Sequence, residues 1–482
     1  MQTSKINPLG IFIKSAGLVP AYRQVLKENG VDPFSIKTLS DFKTLPIIDK
    51  KSYIHKYPLK DLFPAMQIPP MAYASSGSSG RPTFWFRGDE QEETGGRVHE
   101  LIFDKIFNIG KNESTLVVIL FAMGVWVAGN YTLSACRYLS RRGYQISTIT
   151  PGVEKDDISN ILKDLSPEFE NLVLVGYPPF LMDVVHDSIR RGIKFKNKNI
   201  KIITAGDKFS EEWRDSILEM LHIKDSYNSL ISIYGSADAA LLGHETPLTI
   251  FLRKTAQANK RLYKDLFGDA NSLPAIVQYH PEHIFFEEVN GELVLTTNTA
   301  APLIRYNIHD IGKVVTHEEM EGILKRNSME LGAKQYGFSQ WRLPFVIIKG
   351  RSDVAVTFYA LNIFPEHIKA GIEDRRVSRY LSGNFLAYNK TVNNGKTQRL
   401  YIKIELAEGM RPDKMILESV QESILKNLLK LNMEFRKLCS TIGKKALPLV
   451  KLCEHGSGKL SLCPNTQSLL STRGRKVRVI HS

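Results

Sequence analysis

"MAYASSGSSGRPTFWF", residues Met71–Phe86, places Ser75, Ser76, Gly77, Ser78, Ser79 and Gly80 between two strand-like runs and closes them with Pro82. Gly77 and Gly80 reach backbone conformations that other residues avoid, so successive N–H groups can turn toward one point, and the serine hydroxyls add donors around it. Such a run is built to cradle phosphate. A Walker loop is excluded, because no Gly-Lys-Ser/Thr follows and the run leads into the extended "TFWFRGD" where that architecture requires a helix. A flexible Ser/Gly linker is the competing reading, but linkers rarely sit between apolar strands or end on proline.

Outward from this run, strand-like segments alternate with amphipathic helical ones: "LVVIL", "RYLSRRG", "ISTIT", "DISNILKDL", "NLVLVG", "FLMDVVHDSIRRG", "IKIITAG" and "EEWRDSILEMLH". That alternation predicts an α/β fold with helix-covered, mainly parallel sheets. Near residue 350 the texture changes. "FVIIKGRSDVAV" leads into a Lys-rich portion with the strand "RLYIKIEL" and the helical "PDKMILESVQESILKNLLKLN", which reads as a small C-terminal α+β domain. The expected division is 1–350 and 351–482, in keeping with a length of 482 residues, too long for one ordinary core. The uncharged stretch Ser114–Cys136 is long enough to span a bilayer. Its β-branched start and the later Gly124, Gly129 and Asn130 predict instead a buried strand, a turn and a packed helix.

With 43% hydrophobic and 24% charged residues the chain reads as a soluble globular protein. Its net charge of +14 favours anionic ligands without naming one. Nucleic-acid binding has only that charge behind it, because the basic residues are scattered and neither a zinc finger nor an RNA-binding aromatic motif accompanies them. The start lacks the apolar core of a secretory signal, and the four cysteines include no CxxC pair. A cytoplasmic protein is expected; the sequence leaves the oligomeric state open.

"YASSGSSGRP" is similar to the pyrophosphate-gripping loop of the adenylate-forming (acyl-CoA synthetase) superfamily, and "AYRQVLKENGVDPFSIKTLSDFKTLPIIDKKSY" resembles the N-terminal segment of its phenylacetate-CoA ligase branch. Further motifs follow in the family's order. "SLISIYGSADAALLGHETP" resembles the family's strand and Tyr-Gly-x-Thr/Ser-Glu turn, which implies Tyr234, Gly235 and Ser236 at the nucleotide, Tyr234 against adenine, and Asp238 as the acid that helps hold Mg²⁺. "IITAGDKFSEEWR" resembles the segment lining the adenine pocket, at Ala205, Gly206 and Asp207. "LIRYNIHDIG" is similar to the Arg-Tyr-x-x-Gly-Asp motif, with Asp310 as the ribose-binding acid and His309 in place of the usual glycine. A carboxylate suits that task, since its oxygens accept from both ribose hydroxyls. "VIIKGRSDVAVTFYALNIFP" resembles the hinge segment, assigning Arg351 to the nucleotide and Asp353 to the hinge.

The resemblance, running from about Ala21 to Ile480, implies ATP-dependent adenylation of a small carboxylic acid with release of pyrophosphate, then transfer of the acyl group to coenzyme A. An apolar acyl wall is expected at Phe121, Val125 and Trp126, with core packing as the alternative role. Three departures matter. The ending "LLSTRGRKVRVIHS" resembles the family's Gly-Lys-x-x-Arg-Val ending but has Arg475 at the catalytic lysine's place and Lys476 one residue later; Lys459 is a rival. Tyr359 and Ala360 stand where relatives have Arg-Gly, adding a methyl group beside the expected pantetheine path. Glu245 is followed by Thr246 where some relatives have a Glu-Cys pair belonging to a zinc site, and no structural zinc is expected. Two alternatives follow from the departures: an adenylate-forming enzyme that passes the acyl group to an amine, a hydroxyl or a carrier protein, and a catalytically weakened nucleotide-binding homologue.

Overall fold

The uncharged stretch divides as its glycines imply, into a strand Thr115–Leu120, a turn at Gly124 with φ +80°, and a helix Val127–Arg141. The protein is seen here as a computed structural model. It describes residues 6–75, 83–195, 198–268, 270, 273–351, 356–358, 361–392, 397–457 and 469–471. Among these, no helix is long and apolar enough to cross a membrane.

The strands of the N-terminal portion are β1 (Met71–Ser75), β2 (Thr83–Arg87), β3 (Thr115–Leu120), β4 (Ile146–Ile149), β5 (Asn171–Gly176), β6 (Asn199–Ala205) and β7 (Leu230–Ser236). There follow β8 (Ala240–His244), β9 (Ala275–Gln278), β10 (Phe285–Val289), β11 (Glu292–Thr297), β12 (Leu303–Val315) and β13 (Phe345–Arg351). β1 and β2 form an antiparallel hairpin. The others build one eleven-stranded sheet in the order β10-β11-β12-β13-β9-β8-β7-β6-β5-β3-β4.

The expected parallel pairing holds for the five strands β4, β3, β5, β6 and β7. β3 and β5 are buried along their whole length, as strands covered on both faces must be. Leu116, Val118, Leu172 and Leu174 pack toward Leu181, Val184, Trp213 and Ile217 of the helices Pro178–Arg190 and Glu211–Met220. The alternate residues Val117, Ile119, Val173 and Val175 pack on the opposite face, with Ile102, Phe103, Cys136 and Leu139. Each such side chain stabilises the fold by roughly 1.5–3 kcal/mol. Beyond β7 the pairing is antiparallel through β8, β9, β13, β12, β11 and β10. Between β10 and β11 the cause is local: Asn290 and Gly291, at φ +53° and +79°, close a two-residue turn, the chemistry a tight hairpin demands.

The C-terminal portion carries a small pair, β14 (Val356–Phe358) with β15 (Leu361–Ile363), and a four-stranded sheet. That sheet is made of β16 (Leu381–Val392), β17 (Thr397–Leu406), β18 (Leu449–Cys453) and β19 (Leu469–Ser471) in the order β18-β17-β16-β19. The helices Pro365–Ile372 and Lys414–Leu431 share a core with it through Ile368, Phe385, Ile402, Ile404, Ile424 and Leu428. Gly371 is required where those helices touch, because a Cβ there would lie 2.6 Å from Cα of Ile424.

Behind β7 the buried charges of the large core are paired. Arg214, fully buried, reaches Glu211 at 2.8 Å and Glu245 at 2.7 Å, while Arg253 closes on Glu211. Glu245 also accepts from the Ser232 N–H at 2.8 Å, tying β7 to the helices behind it. Thr246, the residue in the place of a relative's cysteine, caps the helix Pro247–Ala258 and donates to Gln278 Oε1 at 2.7 Å. Next to it the rings of His244 and His280 meet Nε2 to Nε2 at 3.2 Å. His244 Nδ1 donates to the Glu245 carbonyl at 2.8 Å, so its Nε2 accepts and His280 Nε2 carries the proton.

Burial pushes His244 down to about 4 and His280 to about 3, and the proximity of the two rings adds to the shift of His280. The unfolded chain therefore binds protons near pH 6.5 that the folded chain refuses, and stability is lost as pH falls from about 6.5 toward 4. At pH 5 the penalty is on the order of 2 kcal/mol for each such histidine. Urea midpoints measured at pH 7.5 and pH 5.0 check this: a clear drop is expected, shallower in His280→Gln, and equal midpoints contradict neutral burial.

Candidate active site

Parallel strands end on the same side of their sheet, and crevices form where their carboxyl ends open. Here β3 runs out at Phe121, β6 at Ala205–Asp207 and β7 at Ser236, so three separated motifs meet at one edge. The β1–β2 hairpin is fastened to that edge by the Ala74 N–H, which donates to the Val125 carbonyl at 2.7 Å. Ser75 lies opposite Thr83, so the serine-glycine run begins and ends there. Ser76, Gly77, Ser78, Ser79 and Gly80 themselves lie outside the described residues.

The hairpin is held by side chains that sequence reading did not single out. His55 Nε2 meets Thr83 Oγ1 at 2.8 Å. Lys50 Nζ stands 5.0 Å from the centroid of the Trp85 ring and 3.3 Å from Asp238 Oδ1. Arg87 is buried, with its guanidinium about midway between the rings of Tyr73 and Tyr131, 5.2 and 5.1 Å from their centroids, and donates to the Ala237 carbonyl at 2.9 Å. These contacts connect the base of the serine-glycine run to the turn that carries Asp238.

That turn follows β7. The Ala239 N–H donates to Ser236 Oγ at 3.1 Å, and Asp238 accepts from the Tyr306 hydroxyl at 2.6 Å on the oxygen that Lys50 does not approach. Gly235 is confined, since a Cβ would meet the Ala240 carbonyl at 2.8 Å. Tyr306 belongs to the "IRYNIHD" motif, so the signal for it was present; nothing in "IIDKKSY" distinguishes Lys50 from its neighbour Lys51.

Asp310 and Arg351 are cross-strand partners on β12 and β13. Arg351 Nη1 donates to Asp310 Oδ1 at 3.2 Å, and the Tyr234 hydroxyl to Oδ2 at 2.5 Å. Tyr234, Asp310 and Arg351 are thus brought together as the motifs implied. Burial and the neighbouring carboxylate push the Tyr234 hydroxyl far above its ordinary range, so it stays a donor; Tyr306 behaves alike beside Asp238. His309, at φ +62°, takes the conformation a glycine holds more easily and is fixed by the Asn307 side chain at 2.7 Å and Asp49 at 3.2 Å.

Asp207 closes the same edge. Its carboxylate accepts from the Tyr177 hydroxyl at 3.2 Å and the Lys208 N–H at 2.9 Å and pairs with Lys369 at 2.8 Å, beside Gly206 at φ +92°. Of the proposed acyl wall, Phe121 is buried while Val125 and Trp126 are 57% and 38% exposed, leaving apolar surface open next to the hairpin. Asp353, Tyr359, Ala360, Lys459, Arg475 and Lys476 lie outside the described residues.

Arg87→Ala removes both ring contacts and the bond to Ala237 from a buried position. A loss of about 2–3 kcal/mol is expected in urea unfolding. Unchanged stability contradicts the anchoring role.

No protein-family model matches the chain. It is similar to the phenylacetate-coenzyme A ligase of Aromatoleum evansii, with 23% identity over 353 residues, 73% of this chain and 70% of that protein. It is also similar to the phenylacetate-coenzyme A ligase of Escherichia coli (strain K12), with 22% identity over 395 residues, 81% and 79% of the two chains. Among solved structures, 2-hydroxyisobutyryl-CoA ligase in its postadenylation state with 2-HIB-AMP overlays with a TM-score of 0.62 at 14% identity, over 93% of this chain and 86% of that one. The acyl acid amido synthetase AtGH3.15 overlays with a TM-score of 0.52 at 12% identity, over 97% and 95%.

Proposed function

We propose that this chain, which belongs with the adenylate-forming acyl-CoA ligases and is similar to their phenylacetate-CoA ligase branch, joins a small carboxylic acid to AMP and hands the acyl group to coenzyme A. The observation that carries the reading is the meeting, at one sheet edge, of the Tyr234–Asp310–Arg351 cluster, the Asp238 turn with Lys50, and the base of the serine-glycine run.

In the reading, an oxygen of the acid attacks the α-phosphorus of ATP, the bond to the bridging oxygen breaks, and pyrophosphate leaves. Two anions must meet, so fixed geometry and positive charge do the catalytic work. Asp310 receives the ribose hydroxyls, Ala205–Asp207 with Tyr234 form the adenine wall, and Arg351 and the run Ser75–Gly80 face phosphate. Asp238 offers one hard carboxylate, a donor set that suits Mg²⁺ shared with substrate phosphates; when bound, Mg²⁺ offsets charge on those oxygens. Lys50, already beside Asp238, adds a cation from the N-terminal segment. Phe121, Val125 and Trp126 form the acyl wall. We place the division of the chain at 350/351, with Asp353 as the hinge on which the C-terminal portion turns to admit the thiol of coenzyme A. ATP and coenzyme A supply fit a cytoplasmic protein. Ala360 favours a second reading in which the acceptor is an amine, a hydroxyl or a carrier protein.

A pyrophosphate-release screen over aromatic, fatty and hydroxylated acids, with and without coenzyme A, tests the proposal. Release that needs only acid and ATP supports adenylation, and a thioester formed with coenzyme A supports the acceptor. Silence across the library favours the weakened binder.

Asp310→Asn keeps an acceptor for the Tyr234 hydroxyl but gives up the charge. Losing charge-assisted bonds worth about 1.5–3 kcal/mol each should weaken ATP binding at least tenfold in a folded protein. Calorimetry with unchanged affinity would falsify the ribose assignment.

Arg475→Ala should slow adenylation by roughly a hundredfold with little change in ATP affinity, as loss of a cation acting only in the transition state does. If Lys476 fills the site instead, its removal carries the penalty. A double variant that adenylates at the parental rate rejects both.

A further inference from the structure

The segment Gly206–Ser210 leaves β6 and meets the helix Pro365–Ile372 of the C-terminal portion through an exchange of charges. From the segment, Lys208 reaches Glu366 at 2.8 Å and donates to the Lys349 carbonyl at 2.7 Å. From the helix, Lys369 pairs with Asp207 at 2.8 Å and donates to the Lys208 carbonyl. Glu373, next after the helix, accepts from the Ser210 N–H at 2.9 Å. The seam opens at this point into a cavity of about 440 Å³ bordered by Lys208, Glu366, Lys369 and Glu373, so charges rather than interlocked apolar side chains make the contact.

Lys369 is only 7% exposed. Burial works against its charge, but Asp207 and Glu373 outweigh that, and its pKa lies above the ordinary lysine value. Asp207 depends on it in turn. Gly206 turns the chain sharply at φ +92°, and Asp207 anchors the turn through the Tyr177 hydroxyl, the Lys208 N–H and Lys369, of which Lys369 brings the charge. Charge-assisted bonds are about twice as strong as neutral ones, and a buried pair that loses one member leaves the other charge uncompensated.

We infer that Lys369 is a positioning residue for the nucleotide: by fixing the Asp207 carboxylate from the C-terminal portion, it sets the shape of the Ala205–Asp207 wall against the base. The inference rests on the proposed reading of that wall as the adenine pocket. It makes nucleotide affinity depend on a side chain that touches no nucleotide. It also gives the C-terminal portion a direct hold on the base end of the site, separate from any cation it delivers to the phosphates.

The test is calorimetric ATP binding by the full chain and by Lys369→Met, Asp207→Asn, the double variant, Lys369→Arg and Lys155→Met, with thermal melting of each. Lys155 is the control. It crosses the same two portions elsewhere, pairing with Asp183 at 2.8 Å and with Glu408, and never approaches Asp207. Each single change at the pair is expected to weaken ATP about tenfold, and the double change no more than either alone, because both remove one interaction. Lys369→Arg is expected to recover most of the affinity, and Lys155→Met to leave it unaltered.

A folded Lys369→Met protein with parental affinity, while Asp207→Asn is weakened, overturns the inference and leaves the adenine reading standing. Parental affinity in both, with Asp310→Asn still weakened, removes Ala205–Asp207 from the adenine pocket and the inference with it. An equal loss in Lys155→Met shows a general effect of loosening and also overturns it. Should Lys369→Met fail to fold, Lys369→Gln takes its place under the same criteria.

Discussion

Parallel pairing of strands buried on both faces is the constraint on which the candidate site depends. Because β3, β6 and β7 run the same way in one sheet, their carboxyl ends must open on one side, whatever the residues there do. Residues 121, 205 and 234 are far apart in the chain and have no other reason to meet. The all-apolar interiors of β3 and β5 set that alignment. A slip of one residue would turn Leu116, Val118, Leu172 and Leu174 away from the helices Pro178–Arg190 and Glu211–Met220, exchanging the two faces of the core.

Much of this was legible in the sequence, and the rest was not for identifiable reasons. Strand and helix alternation from Thr115 to Met220 could be read directly, because buried parallel strands produce unbroken apolar runs and their covering helices produce amphipathic ones. The antiparallel half was harder. Its strands alternate less cleanly, and the Asn290–Gly291 hairpin signal marks only the turn between β10 and β11. Motifs mark Tyr234, Asp310 and Arg351, and these do come together. No motif marks Lys50, His55 and Arg87, because a lysine, a histidine or an arginine acquires meaning only from what stands across from it, and here that is Asp238, Thr83 and the Tyr73–Tyr131 pair. Lys369 and Asp207 are separated by more than 160 positions, and no local pattern announces their pairing.

The buried charges follow one rule at two scales. Behind the site, Arg214 and Arg253 are compensated by Glu211 and Glu245, which lets the helices Glu211–Met220 and Pro247–Ala258 meet β7 without leaving an unpaired ion in the core. Between the portions, Lys208 with Glu366 and Lys369 with Asp207 do the same work across a seam that is partly open. If the C-terminal portion turns as proposed, ion pairs suit such a contact better than interlocked apolar side chains do, since each charged group can be taken up by water when separated.

The same logic explains how two carboxylates can stand where a polyanion is proposed to bind. Asp238 is matched by Lys50 and given a tyrosine hydroxyl by Tyr306; Asp310 is matched by Arg351 and given one by Tyr234. Each carboxylate thus has a cation beside one oxygen and a tyrosine hydroxyl on the other. Each cation has further N–H donors free of its own carboxylate by geometry, since an ammonium carries three and a guanidinium five. Under the proposed reading, the carboxylates are kept rigid as acceptors for neutral hydroxyls or a metal ion while the adjoining cations are left to phosphate. On that reading, the pairing of acid, cation and tyrosine lets opposite tasks share one cluster.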